Sequence, residues 1–380
     1  MRIVIYNSSS FGGCFDYGKA LLNAYSNQTD IENTSWWIPQ NAAVPQQPSI
    51  LKLGISDKPE TNTKWMKQLH FLYRVIGNPI RLFWFLRKQP TSWVILNDFE
   101  QLSAILWVPL YRFFLRKHRF AVVLHDPDRD AYPPSLWFTK LSMKLIMGLV
   151  RIGIYHDYLP DKPYYRNLKV CKLLDLPHGF YPMPEPDEQM FSQLSAYTAV
   201  GKTTMAILGN IRAEKNYHLA IEALTRLPNH ILIVAGSASN ARVDIGSYKK
   251  LAHSLSVENQ VVWIERFLTE PEMAAVIEIS DVILLNYAVS FTSQSGILNV
   301  VAPFRKELIV SDGPSSLASI LRRFGVGELV APGSVDSLVV ALQKLENEDV
   351  EIRQHWEDYL HYASWETHVM LAIKAFKTTT

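Results

Sequence analysis

Arg212 and Lys215 stand in the segment Gly209-Asn210-Ile211-Arg212-Ala213-Glu214-Lys215-Asn216, between a short apolar run, Thr204–Leu208, and an apolar-periodic stretch from Tyr217 to Leu224. A strand, a glycine-containing turn and a helix start make a natural cradle for a phosphate. The free backbone N–H groups and the positive end of the helix dipole both face the anion. Arg212 can grip such a group with two parallel donors, and Lys215 can add a point charge. Taken singly, each would be an ordinary solvated surface cation.

Three further constellations carry chemistry. His125-Asp126-Pro127-Asp128 follows an apolar run ending at Leu124. A histidine at a strand's carboxyl end can position or protonate a substrate group near neutral pH, with Asp126 holding the ring or a substrate hydroxyl. A plain Asp-Pro turn is the competing reading. Ser293-Gln294-Ser295-Gly296 follows Asn286-Tyr287 and opens an apolar helix, a second anion-binding helix start or an ordinary N-cap. With Arg212 and Lys215 it could hold a diphosphate from two sides. Gly12-Gly13 ends a serine-rich turn, where the backbone can approach a ligand or simply turn tightly. Gly201-Lys202-Thr203-Thr204 imitates the end of a P-loop, but Ala196 stands where its first glycine belongs, and a strand follows instead of a helix. The histidines show no metal-ligand spacing, so no metal is expected.

The elements that must position these groups alternate. Strands are expected at Arg2–Tyr6, Trp93–Asn97, Phe120–Leu124, Ile152–Tyr155 and Lys169–Leu174, with a helix from Asp16 to Ser26. A second series is expected at Thr204–Leu208, His230–Gly236, Gln260–Trp263, Asp281–Leu285, Glu307–Val310 and Gly327–Val330. Short continuous apolar strands separated by helices predict α/β architecture with parallel, doubly wound sheets. The proline-rich segment Leu176–Asp187 reads as a linker. The expected division is an N-terminal Rossmann-like domain over 1–180, a second Rossmann-like domain over 181–352, and a helical tail over 353–380 that packs back on the first. Two such domains would face a central cleft, with ligands at the carboxyl ends of the strands.

Composition narrows the function classes. The 380 residues suffice for two cores, and 48% apolar content marks a globular chain. A net charge of +2 gives no global reason to expect nucleic acid. Two cysteines, Cys14 and Cys171, supply neither a disulfide framework nor a metal site, and a cytoplasmic setting fits. The opening residues read as a strand rather than a signal core, and no apolar run reaches the ~18–20 residues of a membrane span. Between Lys64 and Arg119, however, ten cations face only Asp98 and Glu100 and are interleaved with aromatics such as Trp65, Trp84 and Phe113. That mixture suits peripheral contact with an anionic membrane face, or a core flanked by charge.

Taken together, these segments resemble the GT-B fold glycosyltransferases of the large retaining family 4. That family opens its second domain with Gly-Arg-x-x-x-Glu-Lys; Gly209, Arg212, Glu214 and Lys215 match it with one extra residue between Gly and Arg. Pro177-His178-Gly179 is similar to its interdomain hinge, and Val234-Ala235-Gly236 to its central strand. Val262-Trp263-Ile264 with Phe267 and Leu268 resembles its base-side segment. Asn286-Tyr287, Ser295-Gly296 and His125-Asp126-Pro127 look like one branch of it. The resemblance implies a nucleotide-diphosphate sugar as co-substrate, without a further cofactor or metal. It also implies retention of anomeric configuration, while the basic, aromatic stretch suggests a glycan or lipid-linked acceptor in surface polysaccharide assembly. Arg212, Lys215, Ser295 and Gly296 would bind the diphosphate, and Gly12 and Gly13 would lie at the reacting centre. His125 and Asp126 would lie near the transferred sugar, and Ser293, Asn286 and Tyr287 near donor sugar or ribose. One departure stands out: the family's Glu-x7-Glu pair maps to Ser293 and Val301. A catalytically impaired, glycosyltransferase-like scaffold is therefore an alternative; a sugar-nucleotide epimerase is disfavoured because its acidic and histidine groups cannot be placed.

Overall fold

The computed structural model describes residues 1–59, 63–131, 135–198, 201–239, 243–292, 295–347 and 352–379. The chain divides into two compact units, Met1–Pro177 with Trp365–Thr380, and His178–Ser364.

The first unit runs β1 (Arg2–Tyr6), α1 (Gly13–Ser26), β2 (Asn33–Pro39), β3 (Ile50–Gly54), α2 (Lys64–Lys88), β4 (Trp93–Leu96), α3 (Ala104–Phe114), β5 (Arg119–Val123), α4 (Leu136–Leu149), β6 (Ile152–Tyr155) and β7 (Lys172–Asp175). Among the described residues its sheet is seven-stranded and parallel, in the order β3-β2-β1-β4-β5-β6-β7. The order reverses between β1 and β4, the switch point at which doubly wound sheets open a crevice. Helices α2, α3 and α4 bury Leu82, Trp107 and Met143 against one sheet face.

The second unit runs α5 (Glu188–Ser195), β8 (Thr203–Leu208), α6 (Tyr217–Leu224), β9 (His230–Ala235), α7 (Ile245–Ser254), β10 (Val261–Ile264), α8 (Glu270–Ile279), β11 (Val282–Leu285), α9 (Gly296–Val301), β12 (Glu307–Ser311), α10 (Ser316–Phe324), β13 (Glu328–Val330), α11 (Val335–Asn347) and α12 (Ile352–Tyr362). Its parallel sheet has the order β10-β9-β8-β11-β12-β13, with the switch point between β8 and β11. Helix α13 (Trp365–Thr378) then joins the first unit, where Phe376 stacks on Trp93 at 4.3 Å and Val369, Ala372 and Ile373 enter the core beside α1.

Three expectations are corrected. Strands β2 and β3 were not anticipated; β2 opens on polar Asn33, Thr34 and Ser35, which mask the buried Trp36-Trp37-Ile38 that follows. Helix α1 starts at Gly13, three residues early, because Gly12 at φ 81° takes the N-cap in a conformation that L side chains resist. The tail is two helices with separate allegiances. Trp356 and Tyr359 of α12 lie in the second unit's core, so the division falls after Ser364 rather than at 352.

Candidate active site

In the second unit the residues after β8 and those after β11 meet across the switch point. Gly209 leaves β8 at φ 80°, and a Cβ there would lie 2.9 Å from Ile297 Cδ1 and 3.5 Å from Lys215 Nζ. Arg212 precedes a single 3-10 turn, Ala213–Lys215, and Asn216 at φ 49° redirects the chain into α6. Asparagine tolerates this left-handed conformation better than most residues.

Lys215 is buried, and its ammonium donates to the Leu208 carbonyl. Burial, then the neighbouring Arg212, push its pKa down to about 7. Desolvation and a like charge both disfavour the charged form. The sequence reading of a simple point charge is thus refined: this cation sits at the edge of its own titration near neutral pH. Arg212 remains part-exposed, 3.7 Å from the Glu214 carboxylate and against the Tyr287 hydroxyl. Burial raises the Tyr287 pKa, opposed by Ser295 and Arg212.

The other predicted side chains gather here. The Tyr287 hydroxyl and Ser295 Oγ lie 2.9 Å apart, and the Tyr287 ring stacks on Phe291 at 3.9 Å. Ser295 is the N-cap of α9, yet its side chain makes no capping bond, being engaged by Tyr287. Among the described residues nothing lies within 4 Å of a Cβ placed on Gly296. Asn286 is 2% exposed, and among the described residues neither side-chain amide atom has a hydrogen-bond partner. Its carbonyl is held by Asn216 Nδ2 at 3.0 Å. Ser293 lies outside the described residues. Val301 is fully buried in the core, so the second of the two non-acidic positions is a packing residue.

In the first unit the turn Asn7–Gly12 and the segment after β5 are joined through Asn97. The turn is tied down by two carboxylates. Asp98 takes Ser9 Oγ at 2.7 Å, while Asp57 takes Ser10 N at 2.7 Å and its Oγ at 2.6 Å. The Cys14 carbonyl in the first turn of α1 receives Asn7 Nδ2 at 2.9 Å and Asn97 Nδ2 at 2.6 Å. Asn97 Oδ1 then accepts from His125 Nε2 at 2.9 Å. Among the described residues nothing lies within 4 Å of a Cβ placed on Gly12 or Gly13.

His125 stands edge-on to Tyr17 at 4.5 Å, and His156 and His368 complete a cluster around that ring. Their Nδ1 groups, which donate to the Leu176 and Pro177 carbonyls at 2.8 Å each, hold His156 and His368 in place. Burial, then His156, lowers the His125 pKa to about 3. Burial takes His156 to about 4 and, with His156 second, His368 to about 3. The expectation that His125 could protonate a substrate is therefore corrected: at neutral pH its imidazole is neutral and suited to positioning. The side chain holding Nε2 is Asn97, from the neighbouring strand, rather than Asp126, whose carboxylate instead helps raise the Cys14 thiol after burial and Asp98. Sequence reasoning missed Asn97, Asn7 and Asn216; the signal was their position immediately after β4 and β1 and before α6. Among the described residues no group of three His, Cys, Asp or Glu side chains is arranged to hold a metal ion.

Residues 195–361, wholly inside the second unit, match the family model described as Glycosyl transferases group 1. The second unit thus carries a Glycosyl transferases group 1 domain. No curated protein sequence matches the chain. Sucrose-phosphate synthase from Thermosynechococcus elongatus is similar over 99% of this chain and 98% of its own, at 14% identity and a TM-score of 0.71. Anabaena HepE in complex with UDP and glucose is similar over 100% and 99%, at 12% identity and a TM-score of 0.67. WaaG, a glycosyltransferase involved in lipopolysaccharide biosynthesis, is similar over the whole of both chains, at 14% identity and a TM-score of 0.59. At such identities the likeness concerns the fold, two parallel-sheet α/β domains of GT-B type.

Proposed function

We propose that this glycosyltransferase takes a nucleotide-diphosphate sugar and transfers the sugar, with retention, to a saccharide or lipid-linked saccharide in surface glycan assembly. The observation that carries the reading is the buried Lys215 beside Arg212, at the β8–β11 switch point and next to the start of α9. A leaving diphosphate develops charge as the glycosidic bond to it breaks. Preorganised cations that meet that charge in a dry site lower the barrier. Arg212 offers a bidentate grip, and Lys215 is stabilised as ammonium once an anion arrives. These two cations fill the role a metal would otherwise play, so the scheme calls for none. Asn286, with its uncommitted amide, is the group in this pocket best suited to read a sugar or ribose hydroxyl. His125, neutral, would position the transferred sugar, with Asp126 and the Gly12–Gly13 turn beside the reacting centre.

HepE structures contain UDP, glucose or UDP-glucose, which supports a uridine nucleotide as the first donor to try. WaaG's role in lipopolysaccharide biosynthesis supports a lipid-linked acceptor. Helices α2, α3 and α4 contain nine Lys and Arg and no Asp or Glu. They expose Trp65, Trp84, Phe113, Phe114 and Trp137, the last 71% exposed. Such a face suits peripheral contact with an anionic membrane, at the cytoplasmic side of the cell membrane. No helix among the described residues is long and apolar enough to cross one.

The burial of Val301 where relatives carry an acid favours a second reading, a saccharide-binding scaffold without turnover. Incubation with UDP-glucose and other nucleotide sugars separates the two. Turnover or slow hydrolysis that disappears in the Arg212→Ala/Lys215→Ala double variant supports the enzyme; undiminished transfer by that variant removes the assigned role. Failure across the whole donor panel, with binding retained, supports the scaffold.

A further inference from the structure

The first unit's candidate residues, Gly12, Gly13 and His125, come from two different strand ends, and a single side chain joins them. The Cys14 carbonyl can only accept, so the end of Asn97 that faces it at 2.6 Å is the amide nitrogen. That leaves Oδ1 toward His125, and an amide oxygen can only accept, so His125 Nε2 must carry the proton of the 2.9 Å bond. Nδ1 is then the lone-pair nitrogen of a neutral ring.

The amide orientation is itself enforced. Asn97 N donates to the Tyr6 carbonyl at 3.1 Å, anchoring its backbone to the end of β1. The same Cys14 carbonyl is also held by Asn7 Nδ2, and Asn7 Oδ1 is fixed by the indole N–H of Trp36 at 2.7 Å. An indole has no acceptor, so the chain of donors runs in one direction, from buried Trp36 through Asn7 to Cys14. Gly18 makes room for this: a Cβ there would fall on Asn7 Oδ1 and lie 2.9 Å from Trp36 Nε1.

We propose that Asn97 is a positioning residue of the transfer reaction, selecting the Nε2–H tautomer of His125 and locking the first turn of α1, with Gly12–Gly13 before it, to that ring. The proposal rests on the reading that His125 works on the transferred sugar. In it, His125 serves as a hydrogen-bond acceptor through Nδ1, and a ring free to choose its tautomer would present an N–H at that nitrogen part of the time. The other titratable groups acting on the ring are His156, His368 and Arg129, all of which disfavour a charged imidazole. The second tautomer, not protonation, is thus the alternative Asn97 suppresses at neutral pH.

Imidazole 15N spectra and steady-state kinetics of the full chain test this with Asn97→Leu, Asn97→Asp and His125→Ala. The wild type should show His125 neutral and protonated at Nε2. Asn97→Leu, which removes the acceptor, should mix the tautomers and lower kcat about 100-fold while leaving the donor KM within a few-fold, the size expected when a reacting group is misplaced. Asn97→Asp gives up the donor to the Cys14 carbonyl but retains an acceptor at Nε2, so it should restore the tautomer and, by adding a negative charge, move the His125 titration upward and with it the acid limb of the kcat profile. Where Asn97→Leu fails to fold, Asp alone decides: no upward movement overturns the proposal. An unchanged His125 spectrum in Asn97→Leu overturns it as well. A lost tautomer in Asn97→Leu with full kcat, together with an active His125→Ala, refutes the catalytic reading of His125 and with it the positioning role.

Discussion

Asn97 and Asn286 occupy the same address in their respective units, each immediately after the strand that flanks the first strand of its sheet across the switch point, β4 beside β1 and β11 beside β8. Their side chains meet different fates. The Asn97 amide is spent on the Cys14 carbonyl and His125. The Asn286 amide is buried with no hydrogen-bond partner among the described residues, while its backbone carbonyl accepts from Asn216 Nδ2. Leaving a buried amide unpaired costs about 1–3 kcal/mol. The titratable groups beside them follow the same division. Burial drives three histidines of the first unit to pKa values of about 3 to 4, far from neutrality, so they act as fixed neutral scaffolding. The same effect leaves Lys215 at about 7, where an arriving anion can restore its charge. One fold thus builds a closed hydrogen-bond network in one unit and, on the proposed function, a ligand-responsive site in the other.

The largest expected effect breaks the responsive side. Arg212→Ala with Lys215→Ala should lower kcat by about 10³-fold or more, since loss of one preorganised donor costs about 10²–10³. The variant should stay folded. Lys215 binds its proton less tightly folded than unfolded, so its contribution to stability is most unfavourable below pH ~7 and vanishes above ~10.4. Accordingly Lys215→Met should leave the melting temperature unchanged or raised while weakening diphosphate binding, as measured by thermal shift with and without UDP.

Acid tests the rigid side. The histidine cluster has folded pKa values below the unfolded ~6.5, so the unfolded chain takes up protons first. Its contribution is complete above pH ~6.5 and is lost as pH falls toward 4 and below. Tryptophan fluorescence melts between pH 7 and 4.5 should show a fall of a few kcal/mol in the first unit. His368→Gln should flatten that dependence; an unchanged slope would remove the cluster from the account. Gly18→Ala should cost the same unit about 1–3 kcal/mol by overpacking against Asn7 and Trp36.

The two asparagines give the sharpest contrast. Asn97→Leu should destabilise by about 1–3 kcal/mol, because the His125 N–H loses its acceptor and the part-buried Cys14 carbonyl keeps only Asn7 Nδ2 of its two side-chain donors. Asn286→Leu should be neutral or stabilising, yet weaken sugar-nucleotide binding about tenfold. Equal destabilisation by both would erase the distinction. The smallest effect concerns the basic face. Reversing Arg81 and Arg112 to Glu should weaken sedimentation with phosphatidylserine vesicles by a few kcal/mol at low salt, at about 1 kcal/mol per cation near the surface, and leave soluble-donor binding intact.

Strand positions in the second unit could be read from the sequence because β8, β9 and β11 are buried on both faces and appear as unbroken apolar runs. β2 and β3 could not, since polar residues head β2 and Lys52 interrupts β3, its ammonium drawn to the Val44 carbonyl at 2.9 Å. Arg212, Lys215 and Ser295 were recognisable because charge and helix-start chemistry are local properties. The burial of Lys215 was not, for it depends on how the turn after β8 folds its ammonium back onto the Leu208 carbonyl. The contacts of Asn97 were hidden for the same reason: its partners Cys14 and His125 lie 83 and 28 residues away.

Calorimetric titration of the full chain with UDP, GDP and ADP, in two buffers of different ionisation enthalpy between pH 6 and 9, tests the central claim most directly. Binding of one of these diphosphates should be accompanied by net proton uptake that grows as pH rises through 7, and Lys215→Met should abolish the uptake. Binding without proton uptake, or uptake that persists in Lys215→Met, would contradict the assignment of Lys215 and Arg212 as the diphosphate grip.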